Sequence, residues 1–159
     1  MEILDRQKKN ILSKIKTIGF DLDGTLYEAT SEVQSRIRDE IYKKISYGFV
    51  IPFEQAKTLF EESYSRTSSG SRTIKEFEEQ FQKKLEKDLI QNAIQEADIL
   101  DLIQENSSLV ISLNRFAKKY SLDLLTSGKE DLASEKLRKI GINKNIFGYF
   151  LSADNGSKT

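Results

Sequence analysis

Residues 16–27 read KTIGFDLDGTLY. Lys16-Thr17-Ile18-Gly19-Phe20-Asp21-Leu22 has the look of a short buried strand that runs into polar residues. Asp23-Gly24 is a turn signal placed at the strand's end. The position matters because, in open α/β sheets, ligands bind beyond the carboxyl ends of the strands. Two carboxylates, Asp21 and Asp23, are therefore expected at the edge of a sheet where chemistry is done.

Alternation of apolar and polar residues returns at Tyr120-Ser121-Leu122-Asp123-Leu124-Leu125, which predicts a second strand ending in Thr126-Ser127-Gly128. A helix is expected over 130–140, with Leu132, Leu137 and Ile140 apolar and Gly141 as its stop. Ile146 to Leu151 is a third strand candidate. From about 30 to 118 the periodicity is mostly helical. Ser31 with Gln34 suggests a capping box ahead of Val33, Ile37, Ile41 and Ile45. Pro52, the only proline, suits the first turn of a helix over 52–65 with Phe53, Ala56, Leu59 and Phe60 inward. Residues 66–72 read as a polar loop, and Thr73 with Glu76 as a second capping box before Ile74, Phe77, Phe81 and Leu85. Further helices are expected around Leu89, Ile90 and Ile94, around Leu100 to Ile103, and from Ser107 or Ser108 with Leu109, Leu113 and Phe116 buried. Ile3, Leu4, Ile11 and Leu12 form a weak helical pattern at the start. The order strand, helical block, strand–helix–strand predicts a parallel α/β core over 1–29 and 115–159, with an all-helical insertion over 30–114.

Composition narrows the chemistry. In 159 residues, 38% are hydrophobic and 31% charged, a balance that suits a globular protein. Lys+Arg and Asp+Glu are both 25, so the chain has no basic excess for a large nucleic-acid footprint. Lys8, Lys9, Lys14 and Lys16 make the start locally basic, as a solvated face. There is no Cys and no His, which excludes thiol catalysis, Cys/His zinc sites and Ser-His-Asp triads. Acid/base work near neutral pH falls to carboxylates, Lys or Tyr. The absence of Cys fits a reducing cytosol. No apolar run suggests a signal peptide, and none approaches the roughly 18 residues of a membrane-spanning helix. The expectation is a cytoplasmic protein without membrane or nucleic-acid partners.

Asp21 is a nucleophile that needs no deprotonation near pH 7. Asp23 can protonate a leaving oxygen and later deprotonate a water. A carboxylate attacking an anionic phosphate is repelled unless a cation lies between them, so a hard, oxygen-liganded ion such as magnesium is implied. A hydroxyl at Thr126, at a strand-to-helix junction, can hold phosphate oxygens with the help of the helix N-terminus.

FDLDGTLY resembles the first motif of the haloacid-dehalogenase-like (HAD) superfamily. The resemblance implies a Rossmann-like core with an inserted helical cap. It makes Asp21 the nucleophile and, through its carboxylate, a magnesium ligand, and Asp23 the acid/base and, through its backbone carbonyl, a further ligand to the ion. Asp at the second position is similar to the phosphatases and mutases rather than the dehalogenases. LDLLTSGK resembles the second motif, in which Thr126 binds the transferring phosphoryl group. Ser127 and Gly128 beside it, with Gly24 and Thr25 of the first motif, complete the implied phosphate-binding set. FGYFLSADNGSKT is similar to the stretch that carries the third motif, which makes Lys158 the lysine that neutralises nucleophile and phosphate, although Thr159 stands where proline is usual. The strand that carries the family's fourth, acidic motif is not reached, so a fragment or an ion held by fewer protein ligands is expected. Tyr27 is either a packing residue at the core–cap junction or part of the site. The implied activity is hydrolysis of a small phosphorylated metabolite through an aspartyl-phosphate, by a monomer or homodimer. The alternatives are a phosphosugar mutase of the same superfamily or an inactive binding module.

Overall fold

A computed structural model describes residues 14–156. The helical pattern expected at Ile3, Leu4, Ile11 and Leu12, the basic residues Lys8 and Lys9, and the expected site lysine Lys158 lie outside these residues. The described chain divides into two units: Ala29–Leu102, and the residues on either side of that stretch.

The outer unit is α/β. Strands β1 (Thr17–Asp21), β2 (Ser121–Leu125) and β3 (Tyr149–Leu151) form one parallel sheet in the order β1-β2-β3. Thr17 pairs with Ser121 and Asp21 with Leu125, while Leu125 pairs with Leu151, so all three strands end level at one edge. Leu122 and Leu124 are buried on alternate positions of β2, as the pleat requires. Helix α5 (Ser107–Ala117) packs on β2 through buried Leu113. Helix α6 (Glu130–Ile140) carries β2 over to β3, the crossover that parallel strands need. It ends at Gly141, whose φ of 90° lets its own N–H and that of Ile142 return to the carbonyls of the last turn.

The inner unit is all helix: α1 (Ser31–Phe49), α2 (Phe53–Thr67), α3 (Gly70–Gln80) and α4 (Leu89–Glu96). Ile41, Tyr42, Ile45 and Phe49 of α1, Ala56 and Phe60 of α2, Ile74 and Phe77 of α3, and Leu89 and Ala93 of α4 make a core of their own. Phe60 stacks on Tyr64 at 5.6 Å between centroids and meets Tyr42 edge-on at the same distance. Burying one such ring contributes about 1.5–3 kcal/mol. No described helix is long and apolar enough to cross a membrane.

Several local expectations are corrected. Helix α1 is capped by Thr30, whose hydroxyl accepts from the Val33 N–H at 3.3 Å, and Gln34 reaches back to the Ala29 carbonyl. Ser31 is already inside the helix. Helix α3 begins at Gly70 behind Ser69, so Thr73 is an interior residue, not a cap. Its fully buried hydroxyl pairs with Thr67 Oγ1 at 2.9 Å across the α2–α3 junction. Leu100 to Ile103 makes turns rather than a helix. Phe116 is 43% exposed, lying beside Tyr120 rather than in the core. β3 starts three residues late because Asn143 caps a 3₁₀ turn over Lys144–Ile146. The contacts of α5 with β2 place it with the sheet, whereas periodicity alone grouped most of it with the helical block.

Candidate active site

The turn that follows β1 is built by two leucines. Leu22 and Leu26 are 0% and 2% exposed, and the Leu22 carbonyl accepts from the N–H groups of Thr25 and Leu26 at 3.2 and 3.0 Å. Gly24 supplies the left-handed step, φ 76°, that folds the chain back so tightly. With Leu22 and Leu26 driven inward, Asp21 is left exposed and Asp23 half-buried on either side of Leu22. Thr25 is exposed and contributes its N–H to the turn.

Asp23 is the hub. Its Oδ1 accepts from the Tyr27 hydroxyl at 2.6 Å and from Lys136 Nζ at 2.5 Å. Its Oδ2 lies 3.4 Å from the Thr126 hydroxyl, a long contact that joins residues 103 apart in sequence. Burial alone would raise the Asp23 carboxyl. The charge and hydrogen bond of Lys136, with the hydroxyls of Tyr27 and Thr126, outweigh it and hold the carboxyl below its ordinary range. Tyr27 is pushed strongly upward by burial, then by the charge and hydrogen bond of Asp23, and further by Asp21. Both aspartates therefore act electrostatically on one phenol.

Thr126 is buried at the end of β2. Its N–H donates to the Leu151 carbonyl at 2.8 Å, and its hydroxyl accepts from the Gly128 N–H at 3.1 Å. Gly128 is buried and Ser127 exposed. The loop after β3 closes on the loop after β2: the Ala153 N–H donates to the Gly128 carbonyl at 2.9 Å, and Asp154 Oδ2 accepts from the Glu130 N–H at 2.7 Å. Asp154 thus caps α6 from a neighbouring loop, a service that Lys129 at the cap position does not perform.

Of the residues singled out in the sequence, Asp23, Thr126 and Gly128 are joined by hydrogen bonds, and Asp21 and Gly24 belong to the same strand-end turn. Lys136 was not singled out. Its signal was present: a lysine on the α6 face shared with buried Ala133, Leu137 and Ile140. Asp21 and Asp23 offer hard oxygen donors at one strand end, a set that suits magnesium when water and phosphate fill the remaining positions. Among the described residues no three His, Cys, Asp or Glu side chains form a cluster that would enclose an ion.

No protein-family model matches the sequence, and no curated protein is similar to it. Among solved structures, the chain is similar to a HAD phosphatase from Thermococcus onnurineus, at 19% identity and a TM-score of 0.49, over 89% of this chain and 63% of that one. It is also similar to the HAD-hydrolase YfnB from Bacillus subtilis bound to magnesium, at 15% identity and a TM-score of 0.40, over 88% and 66%. A third is a HAD-superfamily hydrolase of subfamily IA from Geobacter sulfurreducens, at 15% identity and a TM-score of 0.40, over 91% and 65%. The chain therefore spans less than two thirds of the length of the first of these and about that share of the others. The α/β assignment stands on the parallel strands of this chain itself.

Proposed function

We propose that the chain carries the nucleophile and acid/base of a magnesium-dependent phosphomonoester hydrolase of HAD type, acting on a small phosphorylated metabolite. The observation that supports this most is the approach of Asp23 and Thr126 at the level ends of adjacent parallel strands, directly beside Asp21. The Asp21 carboxylate and the backbone carbonyl of Asp23 would hold the ion, which would supply positive charge against the phosphate.

A carboxylate oxygen of Asp21 attacks phosphorus, and the bond from phosphorus to the leaving oxygen breaks. Asp23 delivers a proton to that oxygen. Water then attacks the phosphorus of the aspartyl-phosphate, the bond to Asp21 breaks, and Asp23 accepts the water's proton as inorganic phosphate forms. Held ionised by Lys136, Asp23 is ready for the second step as a base. For the first step it must take up a proton, which a neighbouring phosphate dianion favours by like-charge repulsion. Thr126, at the strand-to-helix junction ahead of α6, holds the phosphate oxygens.

The test is hydrolysis of p-nitrophenyl phosphate with magnesium. The wild type should turn over, and Asp21→Asn should lose activity by at least about 10³-fold, as removal of a nucleophile does. Turnover that survives Asp21→Asn refutes the proposal.

A further inference from the structure

Lys136 is a buried lysine paired with Asp23. Its side chain is 4% exposed, whereas the next most buried cation in an ion pair among the described residues, Lys44, is 17% exposed. Burying an ammonium is costly, and the attraction of a partner does little more than offset that cost. An ammonium on the helix face of buried Ala133, Leu137 and Ile140 is therefore not accounted for by stability alone.

The geometry around Asp23 is lopsided. Both strong donors, Lys136 Nζ at 2.5 Å and Tyr27 Oη at 2.6 Å, meet the same oxygen, Oδ1. Among the described residues, the donor that approaches the other oxygen, Oδ2, is Thr126 Oγ1, at a long 3.4 Å. The lysine also lies 5.7 Å from the centroid of the Tyr27 ring, so lysine, phenol and carboxylate form a closed triangle. The last torsion of an aspartate is broad and roughly two-fold, so an unanchored carboxylate interchanges its oxygens. Anchoring Oδ1 removes that freedom and leaves Oδ2 on the side of Thr126.

We propose that Lys136 is a positioning residue that, with Tyr27, anchors Oδ1 of Asp23 and so assigns proton transfer to Oδ2. This rests on Asp23 being the acid/base of the proposed hydrolase. Lys136 touches neither phosphate nor nucleophile in this scheme. Its effect falls on the chemical step and not on substrate binding, and it acts as one unit with Tyr27.

The experiment measures kcat and KM for p-nitrophenyl phosphate with magnesium in the wild type, Lys136→Met, Tyr27→Phe and the double variant, with circular dichroism confirming the fold. Lys136→Met should lower kcat by about 10- to 100-fold, the usual effect of losing a group that orients another, with KM changed by less than about threefold. Adding Tyr27→Phe to Lys136→Met should cost less than about a further twofold, because groups that serve one function are not additive. Lys136→Gln, which keeps a donor and loses the charge, should fall between the two, and it carries the comparison if the methionine variant does not fold. The proposal is overturned if kcat stays within twofold of wild type, if KM rises as much as kcat falls, or if the two substitutions multiply. A wild type without turnover sinks the hydrolase itself and the lysine's role with it, whereas an active wild type indifferent to Lys136 sinks only the latter.

Discussion

A carboxylate that accepts from a phenol and a cation occurs in both units of the described chain, with lysine in one and arginine in the other. In the α/β unit, Asp23 accepts from Tyr27 and Lys136, and the lysine lies over the Tyr27 ring. In the helical unit, Glu61 accepts from Tyr42 and Arg38, and the arginine lies 5.4 Å from the centroid of Tyr64. In the second the ion pair is open to water, with Arg38 and Glu61 side chains 38% and 39% exposed, although Tyr42 is buried. The first sequesters its cation almost completely, although Asp23 keeps 34% exposure. Solvent screens the Glu61 triangle into an ordinary surface interaction of about 0–1 kcal/mol. Burial makes the Asp23 triangle rigid and consequential. What separates a structural cluster from a candidate catalytic one here is the solvent around it, not the residue types within it.

That contrast can be broken in three ways. The largest effect should come from the apolar core that holds the helical unit. Phe60→Ala removes a ring that is 2% exposed and should cost about 3–5 kcal/mol in urea unfolding followed by far-UV circular dichroism. A cost below about 1 kcal/mol would show that this unit is held by its polar clusters instead. Next, Lys136→Met should cost about 1–3 kcal/mol, below the range for a fully buried pair because a third of Asp23 remains hydrated. Arg38→Met should cost under about 1 kcal/mol in the same assay. Equal costs would erase the distinction between the triangles.

The smallest effect is on the pH dependence of stability. The folded Asp23 carboxyl titrates below its ordinary 3.8, so the unfolded chain takes up its proton first as pH falls. Its stabilising contribution is complete above about pH 4 and is lost as pH drops through the lower folded value. Asp23→Asn should therefore show a shallower loss of stability below pH 4 than wild type in acid titrations followed by circular dichroism. An unchanged acid limb would argue that Lys136 does not hold Asp23 ionised.

The legible and illegible parts of the site differ for a physical reason. Asp21, Asp23, Gly24 and Thr126 announce themselves because strand, turn and residue type coincide locally. Thr73 misled because a Ser/Thr followed by Glu three residues on marks a helix start only if the chain is not already helical, and Ser69 had begun the helix. Phe116 misled because periodicity names a face without saying how far its packing extends. Tyr27 stood between packing and function, and its hydroxyl on Asp23 brings it into the candidate site.

The sequence by itself determined the alternation of strands and helices, the parallel α/β character of the core, and the delivery of an aspartate pair to a strand end. These follow from periodicity and turn chemistry, which act over a few residues. Only the tertiary structure decided that Lys136 reaches Asp23 across 113 residues, that Thr126 approaches the opposite oxygen, and that Asp154 caps a helix begun in another loop. Parallel pairing and the α6 crossover bring those positions together, and a contact made by such long-range closure leaves no period in the chain for a local pattern to detect.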